Sequence, residues 1–190
     1  VPFLLKVLIA LVHPPDVPSP GEEPDILSGQ RAVQRSAHTE AINHFTAALD
    51  LLLTRPETPE RAAQELILHL AVGPPLAATQ GYMVPEVAQH YTRARALCDQ
   101  LGDSSQRVPV LLNLSAVDQM RGELRTGQAL AEECLQLAEQ TNDTGLLTQA
   151  HCVVGTAFLY RGEWVRARAS LEQVVAHYQP IYSLPERRIV

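Results

Sequence analysis

The sequence predicts an all-α fold built from helical repeats, and three observations carry the prediction. The first is composition. Hydrophobic residues are 46% of the 190-residue chain, enough for a sizeable core, but aromatic residues are only 5%. Ala, Leu, Gln, Glu and Arg dominate and favour helix, whereas sheets draw on Tyr, Phe and Trp. The second is a shared spacing. Arg121-Gly122-Glu123-Leu124 returns 40 residues later as Arg161-Gly162-Glu163-Trp164, and Asp103 and Asp143 stand at the same separation. A period in this range marks a repeat array. The third is an apolar pattern that occurs four times: Ala41, Phe45, Ala48; Val87, Tyr91, Ala94; Gly127, Ala131, Cys134; Ala167, Leu171, Val174. Each set follows i, i+4, i+7, which is one face of a helix.

Local signals place each element in order. Helices are expected over 25–36 and 39–54, the second carrying the Ala41 set. Thr58-Pro59-Glu60 then offers a cap, a proline at the first helical position and an acid in the first turn. It opens a helix over 59–79. Gly73-Pro74-Pro75 in its middle is expected to kink or split it, since each proline removes a donor and clashes with the preceding turn. Val84-Pro85-Glu86 opens a helix over 85–101. Asp103-Ser104-Ser105-Gln106 has the form of a capping box before a helix over 104–121. Helices over 125–140, 144–161 and 164–178 follow around the Arg-Gly-Glu turns.

Twelve residues before each apolar set stands a small or compact residue, Gly29, Pro75, Ser115 or Gly155. It would let the first helix of a pair approach the second closely. Gly155 is expected to face Ala167 or Leu171. Trp164, the only tryptophan, is expected to be a core residue closing its pair.

The chain divides into three parts. Residues 1–24 are an apolar segment, Val1–Val12, followed by a proline-rich linker. The apolar run is too short to span a bilayer, which needs about 20 residues, and it lacks the basic start and small-residue cleavage site of a signal peptide. Residues 25–181 form the helical-repeat domain, with repeats near 25–55, 59–101, 104–141 and 144–180. Residues 182–190 are a tail.

The small residue on the first helix, the Gly-containing turn, and the Ala and bulky residue on the second helix resemble the tetratricopeptide repeat. The fourth copy carries this best, with Val154-Gly155, Phe158, Gly162, Ala167 and Leu171. The resemblance implies a right-handed helical-repeat solenoid. Gly29–Ser36, Glu40-Ala41-Ile42, Gly81-Tyr82, Pro85-Glu86-Val87 and the Arg-Gly-Glu turns are also similar to the C-terminal repeat region of bacterial multidomain signalling ATPases. In that family an AAA-type or STAND-like ATPase precedes the repeats, often with a class III adenylate or guanylate cyclase domain before it. The resemblance covers about residues 28–181 and implies a role in signal transduction.

None of the family's catalytic parts maps onto this chain. It has no G-x-x-x-x-G-K-[ST] phosphate loop, so no enzyme activity and no cofactor is expected of it. The net charge of −6, without a basic block, argues against a nucleic-acid partner. Seven histidines raise the question of a metal, but no H-x-x-x-H or C-x-x-C occurs, and His69 and His90 fall on different helices. No metal site is expected. Cys98, Cys134 and Cys152 are widely spaced and odd in number, which reads as buried cytosolic thiols rather than a disulfide framework.

Two functional readings remain. One is a non-catalytic protein-interaction and regulatory module whose partner is a protein or peptide, including an attached or upstream ATPase or cyclase domain. The alternative is an effector sensor that holds a small ligand in the solenoid concavity. The candidate groove-lining residues are Leu112, Ala116, Gln119, Gln149, Thr156 and Tyr160, the stripe of each first helix that turns away from its second helix. Cytoplasmic localisation and no membrane contact are expected. Stacked repeats expose apolar faces at their ends, so self-association or a docked tail over Ile181–Val190 is expected as well.

Overall fold

The computed structural model describes residues 24–34, 36–102, 106–141 and 143–177, with side chains from Gly29 onward. The fold is all-α. Eight helices follow in chain order: α1 (Pro24–Gln34), α2 (His38–Leu53), α3 (Pro59–Gln80), α4 (Pro85–Leu101), α5 (Arg107–Arg121), α6 (Leu124–Glu139), α7 (Thr144–Tyr160) and α8 (Trp164–His177). No strand occurs among the described residues. The expected helices agree with these to within a few residues. The proposed cap at Asp103–Ser105 and the segments 1–23 and 178–190 lie outside the described residues.

Helices pack in consecutive pairs, α1 with α2, α3 with α4, α5 with α6 and α7 with α8. Each pair also joins the next, through α2–α3, α4–α5 and α6–α7. First helices touch across pair boundaries at α1–α3 and α5–α7. The core runs through all four pairs and includes the apolar sets read from the sequence. Ala41, Phe45 and Ala48, then Val87, Tyr91 and Ala94, then Ala131 and Cys134, and finally Ala167 are all buried.

The turns inside the first, third and fourth pairs have one geometry, whereas the α3–α4 turn differs, with Gly81 at φ 91° and ψ 160° and its N–H on Ala77 O. At the end of α5, Gly122 N–H donates to Gln119 O and Glu123 N–H to Asp118 O at 2.8 Å. At the end of α7, Gly162 N–H donates to Leu159 O and Glu163 N–H to Phe158 O at 2.9 Å. This closure satisfies the last carbonyls of the helix and needs a residue at positive φ, here 84° and 75°. The first pair closes the same way around Ser36, φ 58°, with Ala37 N–H on Ala32 O. Helix starts are capped where expected for Thr58, whose Oγ1 accepts from Arg61 N–H at 3.2 Å. Asp143 Oδ1 likewise accepts from Leu146 N–H at 3.0 Å.

α3 departs from the expectation of a split. It runs unbroken for 22 residues with Pro74 and Pro75 inside it. Two features accommodate the prolines. The residue before Pro74 is Gly73, so the Cβ half of the pre-proline clash is missing. That same missing Cβ admits the ring of Tyr91 from α4. Packing of Leu68, Val72, Leu76 and Ala77 then offsets the two lost donors. Gly73, two residues before the expected Pro75, is therefore the contact point of this pair. In the first and fourth pairs the small residue is where the spacing put it. A Cβ on Gly29 would meet Phe45, and one on Gly155 would lie 2.7 Å from Leu171 Cγ. In the third pair the glycine is on the second helix, where Gly127 faces Ser115 and Gln119.

Candidate functional site

Glu65 on α3 is the one buried carboxylate among the described residues, 2% exposed. Three bases converge on it. Arg93 Nε from α4 donates to Oε1 at 2.7 Å. Arg61 and His69, one turn to either side on α3, approach at 3.7 Å. His69 Nδ1 in turn meets His90 Nδ1 of α4 at 2.8 Å. That contact needs one ring to donate and the other to accept, so it holds only while at least one ring is neutral. Burial pushes His69 down to about 4, assisted by His90 and opposed by Glu65. Burial also lowers His90, against the pull of Glu86. Tyr91 is fully buried beside this cluster, and its phenol is raised well above the usual range by burial. The cluster fastens α3 to α4.

A second polar set fastens the third pair to the fourth. Ser115 Oγ donates to Gly127 O at 2.6 Å, and Gln119 Nε2 donates to Ser115 Oγ at 2.8 Å and to Val153 O at 3.3 Å. One glutamine thereby spans α5 and α7. At the α6–α8 side, Arg161 donates to Gln128 Oε1, and Arg166 pairs with Glu132 and Glu163 while stacking on the Phe158 ring at 3.9 Å.

The candidate groove residues divide into three states. Leu112 and Gln119 are buried, and Gln119 spends its amide inside the fold as above. Ala116, Gln149 and Thr156 are half-buried, Thr156 Oγ1 donating to Val153 O. Tyr160 is 48% exposed. It lies at the end of α7 beside exposed Leu159, and Met120 takes the corresponding place on α5. The touching first helices α5 and α7 thus each leave apolar side chains exposed at their C-terminal ends, Met120 on α5 beside the exposed Arg121, and Leu159 and Tyr160 on α7.

Trp164 is not the core residue expected. It is 66% exposed, because α8 has no following helix over it among the described residues. With Leu159, Leu171 and Val175 it lines an open apolar trough of about 350 Å³. Its rim holds Arg168 and Glu172, paired with each other at 2.7 Å.

Burial disfavours the thiolate form of Cys134 and Cys152. Burial pushes Cys134 up to about 12, and its Sγ–H points at Val108 O at 3.6 Å. Cys98 is buried. Cys152 is half-buried and also raised by burial. Among the described residues no group of three or more His, Cys, Asp or Glu is placed to hold a metal ion. Among them, too, no helix is long and apolar enough to cross a membrane. No family model matches the sequence, and no curated protein matches it significantly.

The Glu65 cluster was missed by sequence reasoning. Its signal was present as Arg61, Glu65 and His69 at i, i+4, i+8, one face of a helix. The partners Arg93 and His90 could not be assigned, because nothing in the spacing says which face of the next helix meets that stripe.

Proposed function

We propose that this chain is a non-catalytic protein-interaction and regulatory module, a right-handed solenoid of the tetratricopeptide type, serving a larger signalling ATPase or nucleotide cyclase. The observation that carries the binding role is the exposure of Met120 and Tyr160 at equivalent places, 40 residues apart, at the ends of α5 and α7. First helices touch one another across pair boundaries, which favours a stack that bends with those helices inside. A concave face of that kind suits an extended or helical peptide. Tyr160 offers a large apolar body with a polar tip, the chemistry enriched in binding hot spots. The effector-sensor alternative calls for an enclosed polar pocket. The trough on α8 is open and apolar, which favours the protein-binding reading. The ATPase or cyclase context rests on the resemblance of residues 28–181 alone.

The test is selection of a displayed random-peptide library on the chain and on the Met120→Ala/Tyr160→Ala double variant. Both side chains are exposed, so helicity and melting should be unchanged. Enrichment of apolar peptides by the chain and its loss in the variant is the expected result. Equal enrichment by both proteins removes this surface, and failure to enrich any peptide removes the binding role.

A further inference from the structure

Along α8, one stripe of side chains stands in solvent. Trp164, Arg168, Leu171, Glu172 and Val175 share a face of this helix and line the open trough. Trp164 and Val175 are 66% and 75% exposed, and Leu171 is half-exposed. Their counterparts on α6 at the 40-residue spacing, Leu124, Ala131 and Leu135, are buried or half-buried. Large apolar side chains grouped in water in this way mark a docking face.

We propose that this stripe pairs with the same stripe of a second copy of the chain, the two α8 helices lying antiparallel about a two-fold axis near residue 170. What selects a second copy over another partner is that the stripe is complementary to itself. A two-fold interface requires that one residue meet another while the second meets the first. Arg168 stands two residues before position 170 and Glu172 two after it. Trp164 stands six before and Val175 five after. Turning the helix end over end about that point sets Arg168 of each copy against Glu172 of the other. It also sets Trp164 of each copy against the Val175 end of the other, an overlap of about 16 Å.

The charges leave room for this exchange. Arg168 Nε donates to Glu172 Oε1 within its own helix at 2.7 Å, and the two side chains are 81% and 60% exposed. An exposed pair of this kind contributes little, and base before acid along a helix is the weaker order. Each carboxylate keeps lone pairs for the guanidinium of a second copy, and Trp164 and Leu171 beside it exclude water from that contact. One helix stripe is a small interface beside the about 800 Å² per partner of a standard complex. A dissociation constant of roughly tens to hundreds of micromolar is therefore expected.

Trp164 is the only tryptophan in the chain, so its fluorescence reads this face directly. The experiment follows sedimentation and tryptophan emission from about 1 µM to about 1 mM. It compares the native chain, Arg168→Glu, Glu172→Arg, and an equimolar mixture of the two variants, with circular dichroism to check the helices of each. The native chain should dimerise as concentration rises, with a blue shift in step. Each variant alone should stay monomeric, because like charges then meet across the axis. The mixture should dimerise again, because opposite charges do. A native chain that remains monomeric with an exposed tryptophan overturns the proposal. A blue-shifted tryptophan in a monomer places the cover within the same chain and overturns it too. Dimers that both variants leave intact assign self-association to another face, with the same consequence. Variants that stay monomeric in the mixture overturn the antiparallel pairing.

Discussion

The α3–α4 pair and the α7–α8 pair meet the same packing requirement with different materials. Each brings a glycine of its first helix against a large side chain of its second, Gly73 against Tyr91 and Gly155 against Leu171. Each also holds a histidine pair, His69 with His90 and His151 with His177. The surroundings differ. α3 has α1, α2 and α4 around it, and can bury Tyr91 completely and Glu65 with its bases. Among the described residues α8 packs on α7 and reaches α6 through the Arg166–Glu132 pair, so Leu171 stays half-exposed and the Arg168–Glu172 pair lies in solvent. Position in the array, more than the local residues, sets how rigid and how polar a joint can be.

That contrast can be broken most directly at the glycines. Gly73→Ala places a methyl group against the buried Tyr91 ring, which has nowhere to move, and should cost about 3 kcal/mol. Gly155→Ala meets the flexible end of Leu171, which can swing outward. It should change stability by less than about 1 kcal/mol, because Ala also gains helix propensity. Urea denaturation of both variants measures this. If Gly155→Ala is the more damaging, the end pair is as constrained as the interior one.

The carboxylates come next. Glu65→Ala removes the buried partner of Arg61 and Arg93 and should cost about 2–3 kcal/mol, less than the usual cost of breaking a buried pair because Arg93 can turn to water and Arg61 keeps Glu57. Glu172→Ala, in an exposed pair, should leave the thermal midpoint unchanged within error. Equal effects would mean that Glu65 is not an anchor of the interior joint.

The third comparison uses pH. His69 is held at about 4, below its unfolded value of about 6.5. The fold therefore binds fewer protons at this site than the unfolded chain does. Its stability contribution is complete above about pH 6.5 and is lost as pH falls from there toward 4. His90, Glu65, Arg93 and Glu86 face or bias this pair. His151 is also lowered, by burial and by His177, against Glu139. Denaturant midpoints between about pH 7.5 and 5 should fall in the native chain, and fall less in His69→Gln. His151→Gln should flatten the profile by a smaller amount. A native profile flat over this range would remove the interior histidine pair from the account.

The smallest effect is one of access. Cys152 in the fourth pair is half-buried, while Cys98 on α4 is buried. Under native conditions a thiol reagent should modify Cys152 first, as peptide mass mapping would report. Preferential labelling of Cys98 would show that the α3–α4 joint opens more readily than the end of the array.

Which parts were legible follows from where the information resides. The helices were readable because their signals are local. The Pro-Glu starts at Pro59 and Pro85 and the positive-φ glycines at Gly122 and Gly162 act over four or five residues. The contact between Gly155 and Leu171 was readable because a 40-residue period puts equivalent residues in equivalent places. Pro75 was misjudged as the contact point of the second pair. Ala41 and Val87 are 46 residues apart, and the extra length lies in α3, so the register drifts within that helix. Ser36 shows the reverse, a turn geometry kept without glycine because the pair demands it.

By itself, the sequence determined an all-α chain, the order of its helices and their bounds to within a few residues, and the apolar stripe that the first three pairs bury. These depend on backbone propensity, capping and a period of 3.6 residues, all of which act within one or two turns. Only the tertiary structure decided that Glu65 would be buried among Arg61, Arg93 and His69, that Gln119 would tie α5 to α7, and that Trp164 would stand open. Those outcomes depend on which face of one helix meets which face of another, and on whether a neighbour is present at all. That is a question of distances across the array, on which spacing along the chain is silent.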